Sequence, residues 1–287
     1  MRYALFLGCT IPARALDYEL SARSVLKTLG IEVVDLDFGC CGFPIEAVDE
    51  GKALALAAGN LALAEEQGLD VLTLCNACTE MLSKAELALR DERRLSRVNR
   101  VLRERLGWEY HGGVRVRHLA RVLYEEYGLD RIREAVNRPL KGLKVAVHYG
   151  CHYMRPSRVY GEFDDPEFPQ SLDRLVEATG AESVNYEYKM ACCGAGILNF
   201  DEEVAVEMAR MKLDPLSRRG VDALVVICPF CGIMYSRYQS LILREGGEIP
   251  VIYYPQLLGL ALGLEPDELG FQLNVAGVEG LLEKVGV

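Results

Sequence analysis

Ten cysteines stand in this 287-residue chain, and their spacing repeats. One set runs Cys9, then the adjacent pair Cys40-Cys41, then Cys75-Asn76-Ala77-Cys78. The other runs Cys151, the pair Cys192-Cys193, then Cys228-Pro229-Phe230-Cys231. Glycine follows each pair, as Gly42 and Gly194, and no cysteine lies outside the two sets. In a C-x-x-C the two intervening residues form a tight turn, so both thiolates reach one centre with backbone N–H groups aimed at sulfur. The adjacent pairs need a sharper bend, because neighbouring side chains of an extended strand point to opposite faces. A glycine directly after the pair permits it. Paired thiolate cages point to bound iron–sulfur chemistry rather than to cysteines used for packing.

The count of five narrows the metal without settling it. A structural zinc site closes on four ligands, and a [4Fe–4S] cubane also takes four cysteines. Either leaves one thiol over, twice. A larger or opened iron–sulfur cluster with a bridging thiolate would use all five. Disulfides are disfavoured if the chain works in the cytoplasm, where thiols stay reduced.

That compartment is the expectation from the rest of the chain. The apolar run from Ala4 to Leu7 is soon broken by Pro12 and Arg14 and does not read as a secretory leader. The longest later apolar stretch, Val251 to Leu264, contains Pro255 and Gln256 and is too short for a membrane span. Half the residues are hydrophobic, enough to bury an ordinary core in one large or two moderate domains. The net charge of −10 splits unevenly. Residues 1–138 carry 19 basic against 21 acidic groups, and residues 139–287 carry 13 against 21. An acidic balance argues against general nucleic-acid binding.

The elements that must position the cysteines also come twice. In residues 1–138, Tyr3 to Gly8 reads as a buried strand ending at Cys9, and Leu16 to Leu29 as a helix stopped by Gly30. A strand from Ile31 to Phe38 delivers the first pair. An Ala/Leu-rich helix from Gly51 to Gln67 precedes a strand from Val71 to Leu74 that delivers Cys75. One long helix is expected from about Thr79 to Leu106, and another from Leu119 to Tyr127. In residues 139–287 the order returns: strand Leu143–Tyr149, helix Ser171–Thr179, strand Ser183–Tyr188, helix Glu202–Arg218, strand Ala223–Ile227. Val116–Leu129 and Val251–Leu264 both read as strand, helix, Gly-Leu. The offset between halves is 142 at the first cysteine, 152 at the pair and 153 at the C-x-x-C. The second half thus carries an insertion, read as an exposed acidic loop from Tyr160 to Pro169. The expected fold is α/β: two pseudo-symmetric repeats, each a small Rossmann-like, mostly parallel sheet flanked by helices, over 1–138 and 139–287. Every cysteine group follows a predicted strand, where such sheets gather ligands.

The pattern C…CCG…CxxC, present twice, resembles the cysteine-rich CCG-domain proteins. Leu-Gly-Cys9, the run Asp70-Val71-Leu72-Thr73-Leu74-Cys75-Asn76-Ala77-Cys78 and Ala191-Cys192-Cys193-Gly194-Ala195-Gly196 are most similar to the B-subunit of heterodisulfide reductase. The resemblance implies two non-cubane [4Fe–4S] clusters. Cys9, Cys40, Cys41, Cys75 and Cys78 would hold one; Cys151, Cys192, Cys193, Cys228 and Cys231 would hold the other. It implies an oxidoreductase acting on sulfur groups, with a disulfide split between the clusters and each thiolate taken by one iron. It also implies two partners, a ferredoxin-like iron–sulfur subunit and a flavin-bearing subunit. Cys40-Cys41-Gly42-Phe43-Pro44 lacks the proline that methanogenic members tend to carry just after the first pair. That departure suits the related complexes of sulfur oxidisers, with a small disulfide, thiol or persulfide as substrate. CCG domains also serve as electron-relay subunits of quinone-linked glycolate, lactate, glycerol-phosphate and succinate dehydrogenases. The fused C-x-x-C-x-x-C module common in that role does not occur here, nor does G-x-G-x-x-G after a predicted strand. A zinc scaffold is the non-enzymatic alternative.

Other candidates carry less specific signals. Arg14 and Arg155 follow the first cysteine of each set by five and four positions, suited either to an anionic substrate group or to a nearby acid. His152 follows Cys151 and could give a proton to a product thiolate, or be structural. His148 reads as a satisfied core residue within its strand. Arg90, Arg93, Arg97 and Arg100 recur at helical spacing, a solvated face or a docking surface for an acidic subunit.

Overall fold

A computed structural model describes residues 1–161, 163–243, 247–275 and 277–287. It contains two four-stranded sheets. The first is built from β1 (Arg2–Phe6), β2 (Glu32–Asp35), β3 (Asp70–Thr73) and β4 (Val116–His118), in the order β2-β1-β3-β4. The second uses β5 (Lys144–His148), β6 (Glu182–Val184), β7 (Ala223–Val226) and β8 (Val251–Tyr253), in the order β6-β5-β7-β8. Every pairing is parallel, and the registers match: Tyr3 faces Asp70 as Val145 faces Ala223. The central strands read as unbroken apolar runs because helices cover both faces of a parallel sheet. Ala4, Leu5, Phe6, Val71 and Leu72 are buried in one sheet, and Val145 to Val147 with Ala223 to Val226 in the other. The α/β class with two repeated parallel sheets is as the sequence reads.

The compact units are not the two halves of the sequence. One unit comprises Met1–Cys9, Gly30–Leu119 and His152–Pro166; the other comprises Thr10–Leu29, Ala120–Cys151 and Glu167–Val287. Immediately after each first cysteine, then, a segment joins the unit of the other sheet. The helix Leu16–Thr28 buries Tyr18, Ala22, Val25 and Leu26, the face its periodicity predicts. That face packs on the helix Tyr254–Leu262, with Tyr18 stacked on Tyr253 at 4.1 Å and its hydroxyl donating to the Ile227 carbonyl at 3.1 Å. In the first unit, Tyr153 packs edge-on to His118 at 5.4 Å, and the Tyr160 hydroxyl donates to the His152 carbonyl.

Two helices differ from expectation. The long helix over 79–106 is two, Asn76–Ala88 and Glu92–Leu106. Asp91 causes the break: its carboxylate accepts from the N–H groups of Arg93 and Arg94 at 3.0 and 2.9 Å, an N-cap that starts a new helix. The segment from Leu119 turns α-helically to Arg121 and then widens into a π-helix over Val122–Tyr127. After Tyr160 the acidic insertion carries no helix or strand up to Pro169, and Asp165, Glu167 and Phe168 are exposed; residue 162 lies outside the described residues. No helix among the described residues is long and apolar enough to cross a membrane.

Candidate metal centres

Each cysteine set sits at the carboxyl ends of its parallel strands, on a frame whose strand order, register and glycine bends repeat. The first cysteine of each C-x-x-C, Cys75 and Cys228, is the extended residue capping a helix, and its partner lies within the first turn. The helix N-terminus with its unpaired N–H groups favours negative charge there, as a thiolate requires. The pairs are bent by the following glycines, with φ of +94° at Gly42 and +81° at Gly194. A Cβ at Gly42 would lie 2.6 Å from the Ala53 carbonyl oxygen, and one at Gly194 would lie 2.5 Å from that of Ala205. Neither position takes a side chain or a proline ring. The bend turns the glycine N–H back on the pair: Gly42 N–H donates to Cys40 Sγ and Gly194 N–H to Cys192 Sγ, both at 3.4 Å. The helices that press on these glycines are capped alike, Asp49 accepting from Lys52 N–H at 2.9 Å and Asp201 from Val204 N–H at 3.0 Å.

The thiols of each set converge. In the first unit, Cys78 and Cys40 donate to Cys41, Cys78 also bonds Cys75, and the charge of Cys9 is felt at Cys40. The bond from Cys78 holds Cys41 down at about 7. Gly8 makes room, since a Cβ there would sit 2.9 Å from Cys78 Sγ. In the second unit the contacts form one chain, Cys228–Cys231–Cys193–Cys192–Cys151. Hydrogen bonds from Cys151 and Cys193 hold Cys192 far below the usual thiol range, while its partners are pushed up. Such mutual hydrogen bonding crowds the sulfurs together, an arrangement that a metal centre would relieve. None of the ten is in a disulfide, with Cys41, Cys75, Cys78, Cys193, Cys228 and Cys231 buried and Cys9 exposed. Five soft donors converging at backbone N–H groups fit an iron–sulfur cluster.

Behind the second set stands a lysine that the sequence pattern alone does not flag. Lys212 is wholly buried; its Nζ donates to the carbonyls of Lys189 at 2.9 Å and Ala191 at 3.1 Å and lies 2.5 Å from His148 Nδ1. Burial pushes it down to about 7, while the sulfurs of Cys231, Cys193 and Cys192 draw it up. Removing an ammonium from water costs several kcal/mol. Three hydrogen bonds of a charged donor return about 1.5–3 kcal/mol each, so bonds and nearby anions together can hold the cation. His148 is not the satisfied core residue expected: its Nε2 has no hydrogen-bond partner among the described residues. A ring nitrogen of His148 and the sulfurs of Cys193 and Cys231 lie within 4.8 Å of one another. In the first unit the matching brace is Asn60, which accepts from Gly39 N–H at 2.8 Å and donates to the Cys40 carbonyl at 3.0 Å. A signal for both existed. Asn60 and Lys212 are the polar residues on the buried stripes Ala53-Ala57-Asn60-Leu61-Ala64 and Ala205-Ala209-Lys212-Leu213-Leu216.

His152 belongs to the first unit, where its Nδ1 pairs with the buried Glu80 and its ring lies edge-on to Phe43 at 5.0 Å. Lys84 joins Glu80 at 3.1 Å and Glu46 at 2.6 Å. Burial drives the Glu80 carboxyl up, but His152 and Lys84 outweigh it and hold the group below its ordinary value, as a carboxylate. Glu80 does not stand out in the sequence. Arg155 donates to the Pro166 carbonyl at 3.1 Å. Arg14, in the second unit, is exposed beside a small cavity that Asp17, Ser236 and Arg237 also line. Arg93, Arg97 and Arg100 lie exposed along the helix Glu92–Leu106, and Arg90 pairs with Glu86.

Residues 3–83 and 145–236 both match the model of the cysteine-rich domain family, CCG. The chain is 39% identical to the B-subunit of the ferredoxin:CoB-CoM heterodisulfide reductase of Methanosarcina mazei, over 99% of this chain and 97% of that protein. It is 40% identical to the B-subunit of the ferredoxin/F(420)H(2)-dependent CoB-CoM heterodisulfide reductase of Methanosarcina acetivorans, over 95% and 93%. The 8-methylmenaquinol:fumarate reductase membrane anchor subunit of Wolinella succinogenes is 33% identical, over 95% and 96%. Among solved structures, a hypothetical protein from Helicobacter pylori shares the fold with a TM-score of 0.77 at 17% identity, covering 96% of this chain and 52% of that longer one. Repeated thiol nests, repeated sheets and full-length similarity agree: the chain belongs to the heterodisulfide reductase B-subunit family of cysteine-rich CCG-domain proteins.

Proposed function

We propose that this chain is the iron–sulfur catalytic subunit of a heterodisulfide reductase-like complex, cleaving or forming the S–S bond of a small disulfide or oxidising thiol-bound sulfur. The observation that carries the reading is the pair of five-thiol nests on one repeated frame. Cys9, Cys40, Cys41, Cys75 and Cys78 would hold one non-cubane [4Fe–4S] cluster, and Cys151, Cys192, Cys193, Cys228 and Cys231 the other. When bound, such clusters supply electrons singly and an iron that can take a thiolate. Reducing a disulfide consumes two electrons and two protons and yields two thiols, so two one-electron centres match the stoichiometry. The electrons would come from a ferredoxin-like subunit, itself served by a flavin subunit.

The protein's own side chains manage protons and charge. Glu80 orients His152 through Nδ1, and the imidazole would give a proton to the sulfur of a departing thiolate and recover it in the reverse direction. Arg14, exposed and close to Arg237, offers guanidinium charge to an anionic group on the substrate. Arg155, bonded to the Pro166 carbonyl, would shape the loop that carries it, or turn to the substrate. The relative from Wolinella, a menaquinol:fumarate reductase subunit, supports a second reading, an electron-relay subunit of a quinone-linked oxidoreductase.

The test is an anaerobic preparation assayed for iron and acid-labile sulfide, then titrated in its reduced form while the EPR spectrum is followed. Iron and sulfide together, with spectral changes on adding small disulfides or persulfides, are the expected results. Zinc without sulfide would end the cluster reading. Indifference to every thiol and disulfide, with prompt oxidation by a quinone analogue, would establish the relay instead.

A further inference from the structure

We infer that His148, its tautomer fixed by Lys212, donates an Nε2–H hydrogen bond to sulfur at the second centre and so makes that centre the more readily reduced of the two. The inference rests on the cluster reading above and adds a difference between the centres. Lys212 Nζ donates to the carbonyls of Lys189 and Ala191 and meets His148 Nδ1, and as an ammonium beside the cysteine sulfurs it has one N–H for each of the three. Nδ1 therefore accepts, and the proton of the neutral imidazole sits on Nε2.

A ring nitrogen of His148 lies within 4.8 Å of the Cys193 and Cys231 sulfurs, and with Nδ1 engaged by Lys212 the buried Nε2, which has no hydrogen-bond partner among the described residues, is the one free to serve them. Carrying a proton, it cannot be a metal ligand; it can only donate. Hydrogen bonds to cluster sulfur withdraw charge and favour the reduced form. In the first unit the same strand position, the last of β1, is Phe6, which packs on Phe38 at 5.0 Å and has nothing to donate.

The experiment uses the full chain, reconstituted anaerobically, with iron and sulfide measured in every sample and each centre's midpoint potential read by EPR. Cys193→Ser identifies the second centre's signal by removing it. His148→Phe should lower the second midpoint and leave the first unmoved, bringing the two together. His148→Gln, which keeps an N–H, should restore most of the shift. Lys212→Met, which releases the tautomer, should lower the same midpoint even if His148→Phe fails to fold. Pulsed EPR should show a weak nitrogen and an exchangeable proton at the wild-type second centre, both lost in His148→Phe. An unmoved second midpoint in fully loaded His148→Phe would overturn the inference, as would a strong nitrogen coupling typical of a direct ligand. So would a shift produced only by Tyr235→Phe, whose buried hydroxyl also lacks a partner among the described residues. Two clusters with equal responses would refute this inference alone, whereas zinc without sulfide would refute the cluster reading as well.

Discussion

Phe6 ends β1 and His148 ends β5, and these matched positions summarise how the repeats differ. The scaffolds agree in strand order, register, helix caps, glycine bends and the N–H aimed at the first sulfur of each pair. The linings do not. Around the first pair the brace is a neutral amide, Asn60, and the strand ends in an aromatic that packs on another aromatic. Around the second, the brace is a buried cation tied to an imidazole, with the Tyr235 ring edge-on to that imidazole at 5.0 Å. Duplication has kept what shapes a thiol nest and changed what sets its electrostatics.

The comparison breaks first at Asn60. Asn60→Lys, which copies the second lining onto the first, would bury a cation where no imidazole receives it. We expect a loss of about 3–5 kcal/mol in anaerobic urea unfolding; a neutral result would mean that the first site can host a cation and that the linings are interchangeable. Next come the bends. Gly42→Ala and Gly194→Ala each force a Cβ into a backbone carbonyl at positive φ, and each should cost about 3 kcal/mol and deplete iron from its own centre only. Unequal costs, or loss of iron from both centres, would contradict a shared and independent frame. Last, the caps: Asp49→Ala and Asp201→Ala should lower the melting temperature by roughly 2–4 °C each, equally if the repeats are as alike as their geometry.

Much of this is legible in the sequence because strand and helix periods are local properties. The apolar runs before Cys9, Cys75, Cys151 and Cys228 announce the strands, and the matched spacing announces the repeat. Asp91 is harder, since a single cap splits a run whose apolar spacing continues across it. The interchange of segments cannot be read at all: the stripe Tyr18-Ala22-Val25-Leu26 signals a buried face but not which sheet it covers. Glu80 and His152 lie 72 positions apart in sequence, and their pairing depends on that interchange. Lys212 is visible as a polar residue on an apolar stripe, yet its partner His148 lies on another element and reads as ordinary core.

The segment interchange has a consequence for any division of the chain. A chain severed at residue 138 would leave Tyr18 and Val25 without the helix Tyr254–Leu262, and would strip the first unit of His152 to Pro166. Neither half of the sequence, cut at that point, would keep a complete unit, because each supplies a segment of the other's interior.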